Sequence, residues 1–172
     1  MTLERRAFAA EIRAKGRRLE GYAATFGATA TIGDFTESIA AGAFRHSLAA
    51  GKDIVALVDH DAGRVLARTR SKTLRLAEDN HRLHFDLDVP ATTAGNDVLA
   101  LADRDDLGGM SFGFLPIDER WEGDRRELRS IDLKEISIVS AWPAYPQTQV
   151  SVRSRLVLFP GVAVARRFLE TL

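Results

Sequence analysis

Arg82-Leu83-His84-Phe85-Asp86-Leu87-Asp88-Val89 alternates strictly, so a strand of period two sets Leu83, Phe85, Leu87 and Val89 on one face and polar groups on the other. Leu74 and Leu76 predict a strand just before it, and Glu78-Asp79-Asn80 supplies turn chemistry, so residues 72–89 read as a hairpin. Outward from this hairpin, strands are predicted at residues 7–14, 18–26, 54–58, 110–117, 126–131 and 133–139. Two helices interrupt them. Residues 41–49 place Phe44 and Leu48 one turn apart on a buried face. Residues 94–106 follow the capping candidates Thr92 and Thr93 and carry Val98, Leu101 and Ala102 as an apolar stripe. Many short strands with few helices point to an antiparallel barrel or sandwich and away from a doubly wound sheet. The reading adopted is mainly β with a few helices (α+β), a mostly antiparallel β-barrel flanked by helices.

A chain of 172 residues, 45% hydrophobic and 28% charged, is long enough for one sizeable core and too short for two catalytic domains. After Pro143-Ala144-Tyr145-Pro146 the pattern weakens, and a Pro160-Gly161 break precedes a short helical pattern aligning Val164, Phe168 and Leu172. The expected organisation is a domain over residues 1–152 and a tail or terminal helix over 153–172, packed on the domain or serving as a docking segment. Lys+Arg 24 against Asp+Glu 24 removes the broad electrostatic footprint of a dedicated nucleic-acid or membrane-surface binder. Cys 0 excludes disulfides, thiolate catalysis and cysteine-bearing metal sites, and is compatible with a reducing cytoplasm. The charged Met1-Thr2-Leu3-Glu4-Arg5-Arg6 does not read as a secretory signal, and no run is long and apolar enough to span a bilayer.

Gly108-Gly109-Met110-Ser111-Phe112-Gly113-Phe114 is the segment richest in chemical possibility. On a strand, Met110, Phe112 and Phe114 face the core, and Ser111 stands between Gly109 and Gly113 on a strip without bulky neighbours. Strand glycines often mark the close approach of another backbone, and a peptide substrate would be one; a purely structural glycine-flanked serine is the competing account. The segment also matches G-x-S-x-G, but His46, His60, His81 and His84 all precede Ser111, whereas an α/β-hydrolase needs its histidine after the serine. A serine nucleophile needs a base. His46 lies opposite Phe44 and Leu48 on its helix, and His81 and His84, three apart on a strand, face opposite ways and do not share an ion. His60 remains, in Asp59-His60-Asp61 at the end of the apolar strand Ile54-Val55-Ala56-Leu57-Val58, where a charge-balanced strand end is the alternative. Glu135 in Leu133-Lys134-Glu135-Ile136-Ser137-Ile138-Val139 is a carboxylate on an apolar strand that needs a partner: an imidazolium, an arginine or solvent.

These blocks resemble the prohead maturation serine proteases of tailed bacteriophages, a family similar in fold to the herpesvirus assemblins. The resemblance is carried, in family order, by Gly21-Tyr22-Ala23 with Phe26-Gly27, Gly33-Asp34-Phe35 leading to Ala41-Gly42-Ala43-Phe44, and Asp59-His60-Asp61. Gly109-Met110-Ser111-Phe112-Gly113-Phe114, Glu135-Ile136-Ser137 and Trp142-Pro143-Ala144-Tyr145-Pro146 continue it. It implies Ser111 as nucleophile, His60 as general base and Glu135 as the third member, where the herpesvirus relatives use histidine and where Asp59, Asp61, Asp86 or Asp88 compete. The assemblins place an arginine pair in the loop after this strand. This chain has Ala141-Trp142-Pro143-Ala144-Tyr145-Pro146 there, leaving the amides of Trp142, Ala144 and Tyr145 as oxyanion candidates because proline cannot donate.

The resemblance implies an endopeptidase that needs no cofactor or metal and acts in the bacterial cytoplasm, inside the assembling procapsid of a phage or gene transfer particle. Its expected partners are the major capsid protein with its scaffold segment and, through self-association and autocleavage, further copies of itself; nucleic acid and membrane are not expected partners. The alternatives are a non-catalytic assembly factor of the same fold and a small serine esterase.

Overall fold

The computed structural model describes residues 2–10 and 12–141. In chain order the elements are β1 (Glu4–Phe8), β2 (Ile12–Lys15), β3 (Arg18–Thr25), β4 (Thr29–Ile32), β5 (Phe35–Ile39), α1 (Arg45–Ala49), β6 (Val55–Val58), β7 (Asp61–Arg68), β8 (Leu74–Glu78), β9 (Arg82–Asp88), α2 (Thr93–Asp103), β10 (Gly109–Glu122) and β11 (Arg125–Val139). The mainly β, two-helix composition agrees with the sequence. The barrel does not. One sheet has seven strands, ordered β1-β10-β11-β5-β4 with β6 joining β11 to β7, and the other has four, ordered β2-β3-β9-β8. Among the described residues, strands β1, β4, β7, β2 and β8 each pair on one side only, so neither sheet closes there.

The sheets share one core, into which β9 sends Leu83, Phe85 and Leu87 and β10 sends Met110, Phe112 and Phe114, as alternation predicts. The segment 7–14, expected as one strand, is divided between β1 in one sheet and β2 in the other. The strands expected at 126–131 and 133–139 are one strand, β11. Register shifts along its pairing with β10, at Gly113/Phe114 and around Asp118, break the simple alternation on which the division rested.

Strand β11 is antiparallel to β10 on one edge, whereas its other edge is shared by two parallel strands. Its N-terminal part pairs with β5 and its C-terminal part with β6. The chain leaves the sheet between them to form α1, which opens a gap in the hydrogen-bond ladder. Ser47 fills it: its hydroxyl donates to the Ile131 carbonyl at 2.8 Å and accepts from the Leu133 N–H at 2.6 Å. Ser47→Ala is expected to cost about 2 kcal/mol, because it strands two buried backbone groups. Chemical denaturation of the purified variant measures this, and a cost within error of zero would show that water replaces the hydroxyl.

Strand β1 works on two faces. Arg6, buried beneath the Phe114 ring side of the sheet, bonds the Glu37 carboxylate at 2.6 and 2.8 Å. Arg126 joins Glu37 at 3.0 Å and Glu4 at 2.7 Å, completing an ion network that ties β1 to β5 and β11. Arg5 and Ala7 therefore point to the other face. The expected boundary at residue 152 and the tail 153–172 lie outside the described residues.

Candidate active site

The other face of β10 carries the strip read from the sequence. Ser111 has Ala7 of β1 on one side and Ser137 of β11 on the other; Gly113 has Arg5 and Glu135 as the corresponding neighbours. The glycines leave room, though not for a substrate. At Gly109 (φ 142) a side chain would collide with the Phe8 carbonyl of β1, and at Gly113 a Cβ would lie 2.7 Å from both Cγ and Oε1 of Glu135. Gly113 thus lets the Glu135 side chain lie across β10. The strip is also closed: Ser111 is 1% exposed, and its hydroxyl has no hydrogen-bond partner among the described residues. A buried hydroxyl without a partner calls for an explanation, and a reaction is one.

His60 reaches the same place from a two-residue turn between β6 and β7. Asp59 (φ 51) and His60 (φ 61) both adopt left-handed conformations, as a tight hairpin turn of this kind requires, although glycine or asparagine usually supplies them. Asp59 pins the turn to the end of β11. Its carboxylate accepts from the N–H and the hydroxyl of Ser140, both at 2.7 Å, and from Arg64 at 3.1 Å.

The turn directs His60 Nδ1 to Glu135 Oε1 at 2.7 Å. Arg5 Nε donates to the same oxygen at 3.0 Å, and the Ser137 hydroxyl donates to Oε2 at 3.1 Å. The Glu135 side chain is only 7% exposed. Burial works to raise its carboxyl, but the hydrogen bond and charge of His60, followed by the charge and hydrogen bond of Arg5, outweigh burial and hold it below the ordinary carboxylate value. This pairing stabilises the fold above the ordinary carboxylate range and is lost as pH falls through the lowered value.

The aspartates that compete with Glu135 are engaged elsewhere: Asp59 as described, Asp61 with the Gly63 N–H, Asp86 with Arg18 and Arg75, and Asp88 with Arg75. No hydrogen bond joins Ser111 to His60. His46 is exposed, and His84 packs edge-on against Tyr22. The oxyanion candidates at Trp142, Ala144 and Tyr145 lie outside the described residues. Arg5 and Ser137, both bonded to Glu135, were not singled out by the sequence. Arg5 sits in a terminal charge run, and only the β1–β10–β11 register brings it to Glu135.

Gly113→Ala tests the geometry, because the added methyl must displace the Glu135 side chain. The His60 imidazole NMR signals are expected to move as the contact with Glu135 breaks, with the sheet intact by circular dichroism. Unmoved signals would show that Glu135 has room to shift without consequence.

An imidazole held on a buried carboxylate, on a β-scaffold that also carries a buried, unpartnered serine, is a set of parts used by serine hydrolases. The family is specific: the model of the caudovirus prohead serine proteases matches residues 3–158, and the chain belongs to that family. No curated protein and no solved structure matches the chain.

Proposed function

We propose that this chain is a maturation endopeptidase in which Ser111 is the nucleophile, His60 the general base and Glu135 the residue that orients His60. The observation that carries the assignment is the 2.7 Å contact of His60 Nδ1 with Glu135 Oε1, on the face of the sheet that also carries Ser111. A carboxylate accepting from Nδ1–H leaves the lone pair on Nε2. Nε2 takes the Ser111 proton as Oγ attacks the peptide carbonyl, and returns it to the leaving amine. Water then enters by the same base and releases the acyl group. No hydrogen bond joins Ser111 to His60, so the proposed proton transfer requires the hydroxyl to turn toward the base.

The proposed substrates are the major capsid protein with its scaffold segment, and the chain itself, within the procapsid of a phage or gene transfer particle in the host cytoplasm. Kinship of fold with the herpesvirus assemblins belongs to the same proposal. Among the described residues no helix is long and apolar enough to cross a membrane. Co-expression with the cognate capsid protein, read by mass spectrometry, is expected to give a discrete N-terminal truncation that disappears with Ser111→Ala. The burial of Ser111 favours a second reading, a non-catalytic assembly factor. Capsid protein that stays full length in mature particles still containing this chain would establish that reading instead. Hydrolysis of small esters without cleavage of capsid protein would point to an esterase.

A further inference from the structure

Resting on the assignment of Ser111, His60 and Glu135 as the working site, we propose that Arg5 is its positioning residue. Its guanidinium keeps Glu135 a carboxylate aimed at His60 during the part of the cycle in which His60 is uncharged.

The need for such a residue follows from the cycle itself. A general base starts neutral, and in that state His60 contributes no charge to hold its buried partner ionised. Burial then acts on Glu135 with Arg5 as the one other cation that the described residues bring within salt-bridge distance of it, Nε to Oε1 at 3.0 Å. The remaining surroundings supply no charge in its place. Strand β10 faces Glu135 with Ser111 and Gly113, and β11 offers Ser137, a neutral donor to Oε2. In the β6–β7 hairpin, Asp59 is taken up by Ser140 and Arg64, and Asp61 by the Gly63 N–H. Lys134, which the register shift opposite Gly113/Phe114 puts on the same face of β11 as Glu135, has its ammonium paired with Asp132.

The protonation state matters because it selects the histidine tautomer. As a carboxylate, Glu135 accepts from Nδ1–H and leaves Nε2 able to take a proton. As a carboxylic acid, it would donate to Nδ1 and place the imidazole hydrogen on Nε2, where it blocks proton transfer from serine. Arg5 suits the task because its planar head donates through Nε from a fixed direction and does not lose its charge.

The test uses the full chain with Arg5→Gln and Arg5→Lys. The Glu135 carboxyl is followed by carbon-13 NMR in a Ser111→Ala background and assigned by comparison with Glu135→Gln; kcat/KM is followed against pH with Ser111 intact. For Arg5→Gln, the Glu135 titration and the acid limb of kcat/KM are both expected to move up by about one pH unit. For Arg5→Lys, both should stay near their native positions while kcat/KM falls severalfold. An unmoved Glu135 titration in Arg5→Gln, or one that moves equally in Arg5→Lys, overturns the proposal. Failure of the underlying assignment shows separately, as peptide cleavage that survives Ser111→Ala, and leaves the NMR result standing.

Discussion

Replacing Ser111 with alanine is expected to lower proteolysis on the order of a millionfold while raising the melting temperature. In the proposed mechanism the loss follows from removal of the atom that forms the acyl bond. The gain in stability follows from its environment. The hydroxyl is buried without a partner, so the native state bears its desolvation and the alanine variant does not. A net stabilisation of about 1 kcal/mol is expected once the small void left behind is counted. Fluorophosphonate labelling and thermal denaturation read the two halves separately. Labelling that persists in the variant removes Ser111 from its assigned role, and a lower melting temperature means that the hydroxyl has a partner in solution.

For His60, the informative comparison is between glycine and alanine. Both variants lose the imidazole, and cleavage is expected to fall on the order of 10⁴-fold or more in each. Combining either with Ser111→Ala should cost little further, because the residues act as a unit. Stability should separate them. Alanine keeps the left-handed backbone at φ 61, which costs a residue with a Cβ about 1 kcal/mol and glycine almost nothing. The glycine variant is therefore expected to be the more stable by about that amount, in urea titrations at one pH. The reverse order would show that the turn is relaxed and that no strain accompanies the histidine.

Strand alternation made the two core-facing strands readable. Leu83, Phe85 and Leu87, like Met110, Phe112 and Phe114, follow period two without interruption and are buried. Strand β7 was missed because register shifts against β6 put Leu66 and Ala67, adjacent in sequence, both in the core. Strands β4 and β5 were missed because they are only 4 and 5 residues long, and β5 follows β11 in parallel only through Thr36–Ile39, a pairing that leaves no local mark. The closed barrel was inferred from the number of strands, which does not determine whether a sheet's edges meet. At the site, Ser111, His60 and Glu135 were nominated by type and context, and the structure brings the latter two into contact. The expectation of an open serine strip failed because glycine signals available space without saying what fills it. Here the Phe8 carbonyl and the Glu135 side chain occupy that space.

The two faces of β1 have a further consequence for Glu4-Arg5-Arg6. A strand paired along one border only is free to creep by a residue, and each such step exchanges its inward and outward side chains. In β1 a step would pull Arg6 and Glu4 out of their buried and part-buried ion pairs and swing Arg5 away from Glu135. The ion network thus acts as a detent. It makes intermediate settings costly and returns the strand to the single notch in which the guanidinium meets its carboxylate. Alignment on one surface of the sheet is therefore enforced from the opposite surface, and residues that never approach a substrate help decide whether the site is assembled.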